Sequence, residues 1–201
     1  MRIGVDFDNT IVCYDTLFHR LAVEEGLIPP DLPPRKGQVR DYLRRIGRED
    51  DWTALQGHVY GDRLDEAEAY PGALEFFAAC RRAGRQVAII SHKTRTPYLG
   101  PPYDLHAAAY RWLEGRGFFA PAGIGLSRQA VFFELTKQEK LDRIGSIGCQ
   151  VFIDDLPEFL AEPAFPPGVT RVLFDPNSTE PVPAGILRTS SWAETSALLL
   201  P

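Results

Sequence analysis

A three-layer α/β fold is the class this sequence predicts: a mostly parallel sheet with helices on both faces and a small helical insert after the first strand. Short runs rich in Val, Ile and Phe alternate with helical stretches, the βα rhythm of a parallel sheet. About 55 residues separate the first strand from the helix that should follow it, where such a connection ordinarily takes about two to six. Three of the apolar runs end in polar residues, Asp6 and Asp8, Ser91, and the pair Asp154-Asp155, and the carboxyl ends of parallel strands lie along one edge.

The first strand is expected over Ile3 to Phe7. The long insert then carries three candidate helices, 15–25, 37–46 and 50–60, separated by Pro29-Pro30, Pro33-Pro34 and Gly47. Residues 14–70 are therefore assigned to a helical cap over the strand ends, and residues 1–13 and 71–201 to the α/β core. Tyr70-Pro71-Gly72 announces a helix over 73–83, and Ala83-Gly84 stops it. Strands follow over 86–90, 131–134, 150–153 and 170–174, with helices over 105–115, 137–144 and 157–161. The Pro-rich stretches at 29–34 and 163–167 read as loops.

A chain of 201 residues with 44% hydrophobic content buries one substantial core and has room for a small module, but not for two full-sized domains. Its net charge of -5 and pI near 5.4 give no surplus of positive charge for a phosphate backbone, so nucleic acid is not an expected partner. Cys13, Cys80 and Cys149 form no CxxC pair, which argues against a disulfide framework or zinc site. His19, His58, His92 and His106 lack the HxxxH spacing of metal ligands. The chain opens on a strand rather than a basic and apolar leader, and no apolar run approaches the roughly 18 residues of a membrane span. A cytoplasmic protein without membrane contact is the expectation. Gly123-Ile124-Gly125 is too short for a nucleotide fingerprint and reads as turn chemistry.

Right-handed crossovers bring the strand-terminal polar residues together. Thr136 and Glu139 form a T-x-x-E capping box that starts a helix just beyond the third strand. Lys137, in its first turn, is preferred as the cation of the crevice over Lys140, which sits one turn deeper. Crowded carboxylates repel, and a hard divalent cation such as Mg²⁺ compensates them with oxygen ligands; Asp6 and Asp154 are its natural anchors. With that ion and a lysine supplying positive charge, a phosphate dianion approaches a carboxylate and an aspartyl-phosphate becomes accessible. Asp8, one strand period beyond Asp6, is placed to protonate a leaving oxygen and then activate water. Ser91 offers a hydroxyl donor to the phosphoryl group, as do loop amides after Asp6, among them those of Asn9 and Thr10.

These residues together resemble the haloacid dehalogenase superfamily. Asp6-Phe7-Asp8-Asn9-Thr10 is similar to its DxDxT motif, Ser91 after Val87-Ala88-Ile89-Ile90 to the second motif, Lys137 to the third, and Ile153-Asp154-Asp155 to the acidic fourth. The resemblance covers the core and implies a Rossmann-like sheet with a type 1 helical cap. It implies Asp6 as nucleophile and metal ligand, Asp8 as acid/base and ligand through its main-chain carbonyl, Asp154 as direct metal ligand and Asp155 in the outer shell. The second Asp is what the family's phosphatases and phosphotransferases share and its dehalogenases lack. Asn9 stands where Gly is commoner.

The segment after Ser91 is dense in donors. His92, Lys93, Arg95 and Tyr98 are candidates to grip a second anionic or hydroxyl-rich part of the substrate; Arg40, Arg44 and Trp52 of the insert are further candidates. A cap that closes over the crevice favours small phosphorylated metabolites over proteins, with a sugar phosphate preferred and a nucleoside monophosphate as the alternative. A phosphotransferase, or a non-catalytic module binding a phosphorylated ligand, are the rival readings.

Overall fold

The computed structural model describes residues 1–200. The chain divides into two compact units: the first comprises Met1–Val12, Ala69–Lys93 and Gly117 onward, the second Cys13–Glu68 and Thr94–Arg116.

The first unit is built on a six-stranded, wholly parallel sheet. Its strands are β1 (Arg2–Val5), β4 (Gln86–His92), β5 (Val131–Glu134), β6 (Val151–Asp154), β7 (Thr170–Phe174) and β8 (Leu187–Thr189). They lie in the order β5-β4-β1-β6-β7-β8. Two short strands, β2 (Val12–Cys13) and β3 (Glu68–Ala69), pair where the chain leaves this unit and returns to it. Five of the six strands match the expected ones. The sixth, β8, is three residues long and exposed at two of them, too short and too polar to show a period of two.

Strand periodicity decides which face each residue serves. Gly4 is opposite Phe152 in register, and a side chain on Gly4 would stand 2.6 Å from the Phe152 ring. The missing Cβ lets that ring lie flat across β1. Ala88, Ile90, Phe152 and Leu173 build this face of the sheet. Helices α6 (Lys137–Ser146) and α7 (Pro157–Leu160) cover it through Leu141, Ile144, Phe159 and Leu160. Elsewhere in this unit α4 (Ala73–Arg82) and α8 (Trp192–Leu199) meet in an aromatic cluster, with Trp192 against Phe76, Phe77 and Phe174.

The second unit contains α1 (Asp15–Glu24), α2 (Lys36–Arg45), α3 (Glu49–Gly57) and α5 (Leu105–Gly115). Its centre is aromatic: Tyr14, Phe18, Trp52 and Tyr60 pack edge to face or tilted, and the Lys36 ammonium stands 5.5–5.8 Å from three of those rings. The expected division left 94–116 in the core, whereas that segment packs with the insert. A Cβ on Gly57 would stand 3.0 Å from Pro97, and one on Gly61 2.6 Å from Tyr103, so two glycines admit the incoming segment. Trp112 then donates its indole N–H to the Ala67 carbonyl at 2.8 Å, and Arg111 pairs with Asp65 at 2.8 Å. No helix among the described residues is long and apolar enough to cross a membrane.

Candidate active site

The carboxyl edge of the sheet in the first unit assembles a buried cluster of opposite charges. Asp6 continues β1, its amide donating to the Ile153 carbonyl at 2.9 Å, which sets it beside the end of β6. Asp154 is the last residue of β6 and has no exposed surface; Asp6 is 5% exposed. By the period of two, Asp6 falls on the face of Gly4 and Asp154 on that of Phe152, the face that α6 covers.

The cation between them is Lys140, which corrects the preference for Lys137. Its ammonium donates to Asp6 Oδ1 at 2.7 Å and to Asp154 Oδ2 at 2.6 Å, and it is 3% exposed. Thr136 does cap the helix, with the reciprocal Glu139 bond of a capping box. Capping, however, fixes where a helix starts and not which side chain turns inward. The inward face of α6 is Lys140, Leu141 and Ile144, the i, i+1, i+4 stripe of a helix packed on a sheet. Lys137, at the first helical position, is more than half exposed and pairs with Glu162. The signal that finds Lys140 was present in the sequence as this spacing.

Asp6, Asp154 and Asp155 each offer a carboxylate oxygen, all within 4.8 Å of one another. Asp154 is aimed by the Leu156 amide, which donates to its Oδ1 at 2.9 Å. The set fits a hard divalent ion: its donors are all oxygens, and the edge gathers the four carboxylates Asp6, Asp8, Asp154 and Asp155 against the two ammonium groups of Lys140 and Lys93. Burial pushes the Asp6 carboxyl up to about 7; Lys140 pulls it down, and the negative Asp154 and Asp8 push it up again. Burial also works against the Lys140 ammonium, but the charges of Asp154 and Asp6 outweigh it and hold that group above the usual lysine range. A bound cation would reverse the pressure on Asp6.

Asp8 lies beyond the strand, where Asn9 turns the chain at φ 57° and the Ile11 and Val12 amides both donate to the Phe7 carbonyl at 3.1 Å. A left-handed backbone is what Gly, and next Asn, tolerate, so Asn9 at the position where Gly is commoner keeps the turn. The Asp8 carboxylate is held by Lys93, whose ammonium donates to both oxygens at 3.0 and 2.9 Å. Lys93 is 4% exposed and sits 5.5 Å from the Phe7 ring centre. Expected as a substrate grip, it is committed to Asp8 instead; the alternation Ser91 buried, His92 exposed, Lys93 buried along β4 carries it inward.

The remaining candidates separate. Ser91 is 1% exposed near the end of β4, two residues past Ile89, the register partner of Val5. His92, expected to grip the substrate, is exposed and engages the Leu135 carbonyl at 3.1 Å. Thr10 is fully buried with its hydroxyl unpartnered, and its carbonyl accepts the Trp192 indole N–H at 3.2 Å. Arg95 and Tyr98 belong to the second unit, where Arg95 pairs with Asp104 at 3.1 Å and Tyr98 is 82% exposed. Of the insert's candidates, Arg44 pairs with Glu49, Arg40 with Asp41, and Trp52 is buried against Phe18.

No protein-family model matches the sequence. No curated protein matches it either. Solved structures do match in fold. A magnesium-bound HAD-hydrolase of Bacillus subtilis shares 16% identity at a TM-score of 0.58, over 100% of this chain and 98% of its own. A dehalogenase shares 15% at 0.60, over 100% and 97%. A HAD family hydrolase of Deinococcus radiodurans, with bound phosphate and sodium, shares 18% at 0.57, over 98% and 94%. With its carboxylates, lysine and serine collected at one edge of a β5-β4-β1-β6-β7-β8 sheet, this chain is built on the fold of the haloacid dehalogenase (HAD) superfamily hydrolases.

Proposed function

We propose that this protein is a member of that superfamily and a phosphatase, hydrolysing a small phosphorylated metabolite through an aspartyl-phosphate on Asp6. The observation that carries the reading is the Lys93–Asp8 pair beside the buried Asp6–Lys140–Asp154 cluster. A second carboxylate, held separately from the metal-type set, can protonate the leaving oxygen of a phosphate ester, a proton that departure of a halide does not need. The phosphate bound to the Deinococcus radiodurans structure supports phosphate chemistry on this fold.

Asp6, Asp154 and Asp155, with the main-chain carbonyl of Asp8 as the family likeness implies, would hold Mg²⁺. When bound, that ion supplies positive charge against the phosphoryl oxygens and keeps Asp6 ionised. The chain's own groups do the rest. An Asp6 oxygen attacks phosphorus, the bond to the ester oxygen breaks, and Asp8, which enters this step protonated, delivers its proton to that oxygen and becomes the carboxylate. The Asp8 carboxylate then takes a proton from water, whose oxygen attacks phosphorus and releases inorganic phosphate and free Asp6. Lys140 and the Ser91 hydroxyl balance charge on the transferred group. Deep burial of Asp6 and Asp154 favours a slim ester, a sugar phosphate before a nucleoside monophosphate.

The deciding experiment is phosphate release from a panel of sugar phosphates, nucleoside monophosphates and 4-nitrophenyl phosphate, in Mg²⁺ and in excess chelator. Turnover of at least one sugar phosphate that stops in chelator is the expected result. Inertness toward the whole panel with retained binding of phosphorylated ligands would establish the non-catalytic reading, and phosphate appearing on an added alcohol rather than in solution would establish the phosphotransferase.

Lys93→Met removes the cation that orients Asp8 without touching Asp6. Its kcat should fall about 10- to 100-fold on alkyl phosphates, whose leaving oxygens need a proton, and much less on 4-nitrophenyl phosphate, with KM nearly unchanged. Equal losses on both substrates together with a lowered melting temperature and no rescue by Lys93→Arg would show that Lys93 serves the fold alone; partial rescue by Lys93→Arg supports the orienting role.

A further inference from the structure

We propose that the opposite, amino-terminal edge of the sheet carries a second binding site, for a small organic anion with an apolar body. A cavity of about 600 Å³ lies there, within the size range of small-molecule sites. Phe77 of α4, Val87 and Ala88 at the start of β4, Ile124, Leu126 and Phe132 give it apolar walls. Its polar side is cationic: Arg2, Arg81 and Arg85 line it, and no acidic residue does among those described. In a chain of net charge -5, three guanidinium groups without an opposing carboxylate are a local field for anions. Arg2 opens β1 and Asp6 follows its end, about 13 Å away at about 3.3 Å per residue, so this is not the catalytic crevice.

Two of the three arginines are committed to the protein. Arg2 donates to Gln86 Oε1 at 3.0 and 2.7 Å and to the Ile147 carbonyl. Arg81 donates through Nη1 to the carbonyls of Pro121 and Gly123 at 2.5 and 2.8 Å. That latch fixes the loop wall of the cavity, and it depends on Gly125, at φ 61°, where a Cβ would stand 2.4 Å from Arg81 Nη1. The third arginine is different. Arg85 Nε is buried without a hydrogen-bond partner, a state that is rare in native proteins. A walled cavity with an uncommitted guanidinium in its lining is suited to a carboxylate or phosphate, which accepts two parallel N–H bonds from such a fork. The apolar walls select ligands that carry an aromatic or aliphatic body behind the anion.

The test uses the whole folded chain and 8-anilinonaphthalene-1-sulfonate, whose rings and sulfonate match the two halves of the cavity, followed by fluorescence. Saturable binding at one site is expected. It should weaken about tenfold or more in Arg85→Met, the equivalent of one lost charge-assisted bond. It should be largely kept in Arg85→Lys and lost in Ala130→Phe, which fills the cavity and leaves the charge. The uncharged analogue N-phenyl-1-naphthylamine should bind weakly and equally to wild type and Arg85→Met. Asp6→Asn should bind the dye as wild type does, and this separates the second site from the catalytic one. Displacement by 2-naphthoate identifies carboxylate ligands and displacement by naphthyl phosphonate identifies phosphate-type ones. An absence of saturable binding, equal affinity in Arg85→Met with an unchanged melting temperature, or loss of binding in Asp6→Asn would each overturn the proposal.

Discussion

Asp6→Asn will lose turnover by about 10³-fold or more, and in chelator its melting curve will separate from that of the wild type as pH rises. The first effect follows from removing the oxygen that attacks phosphorus in the proposed reaction. The second follows from the site's electrostatics. Burial lifts the Asp6 carboxyl to about 7 despite Lys140, with Asp154 and Asp8 adding to the lift. Between about pH 4 and pH 7 the folded chain therefore keeps a proton that the unfolded chain has released. Linkage makes stability fall with rising pH wherever the folded state binds more protons, so Asp6 costs the metal-free wild type stability at neutral pH that it does not cost at pH 4. Asparagine has no proton to lose. The melting temperature of Asp6→Asn minus that of wild type should grow across this window, by about 2–4 °C per kcal/mol for a chain of this size. Added Mg²⁺ should raise the wild type more than the variant, since it binds the ionised set of Asp6, Asp154 and Asp155. Parallel melting curves from pH 4 to pH 8 would show that Asp6 ionises as freely in the folded protein as in the unfolded one.

That Asp6 and Asp154 would meet was legible in the sequence because two short-range rules reinforce each other. Apolar runs of four or five residues identify buried parallel strands, and the residue ending each run falls on the common edge. The site's rim followed different rules. Lys93 and His92 are neighbours in one donor-rich stretch, and only the alternation of β4 sends the lysine to Asp8 and the histidine to the Leu135 carbonyl. Composition counts donors but does not orient them. The division of the chain was obscured for a related reason. Leu105–Gly115 has the amphipathic pattern of any βα crossover helix, yet its buried indole at Trp112 finds its acceptor at Ala67. Which apolar face a helix covers is a property of its partners, and the two glycines that admit this segment, Gly57 and Gly61, carry no apolar signal to be read.

Lys140→Met will inactivate the protein and destabilise it in chelator, while Lys137→Ala will leave turnover within about twofold, as expected for an exposed ion pair. The contrast rests on burial. Lys140 stands between two carboxylates that are 5% and 0% exposed, 2.7 and 2.6 Å from their oxygens, with the Phe159 ring 4.2 Å from its ammonium. Methionine fills a similar volume and removes the charge, leaving the buried Asp6 and Asp154 without the ammonium that stood between them. Removing one partner of a buried pair costs about 3–5 kcal/mol, because the other charge stays behind uncompensated. Mg²⁺ should return part of that stability, since a divalent ion offsets the same carboxylates, but not the activity, since the proposed reaction also uses the ammonium to balance charge on the transferred phosphoryl group. Adding Asp6→Asn to Lys140→Met should recover more stability than Asp6→Asn adds to the wild type under the same conditions, a coupling that independent sites do not show. Additive effects in the double variant would mean that the two side chains do not sense each other in the folded protein, and the charge cluster at the sheet edge would then not act as one unit in the proposed reaction.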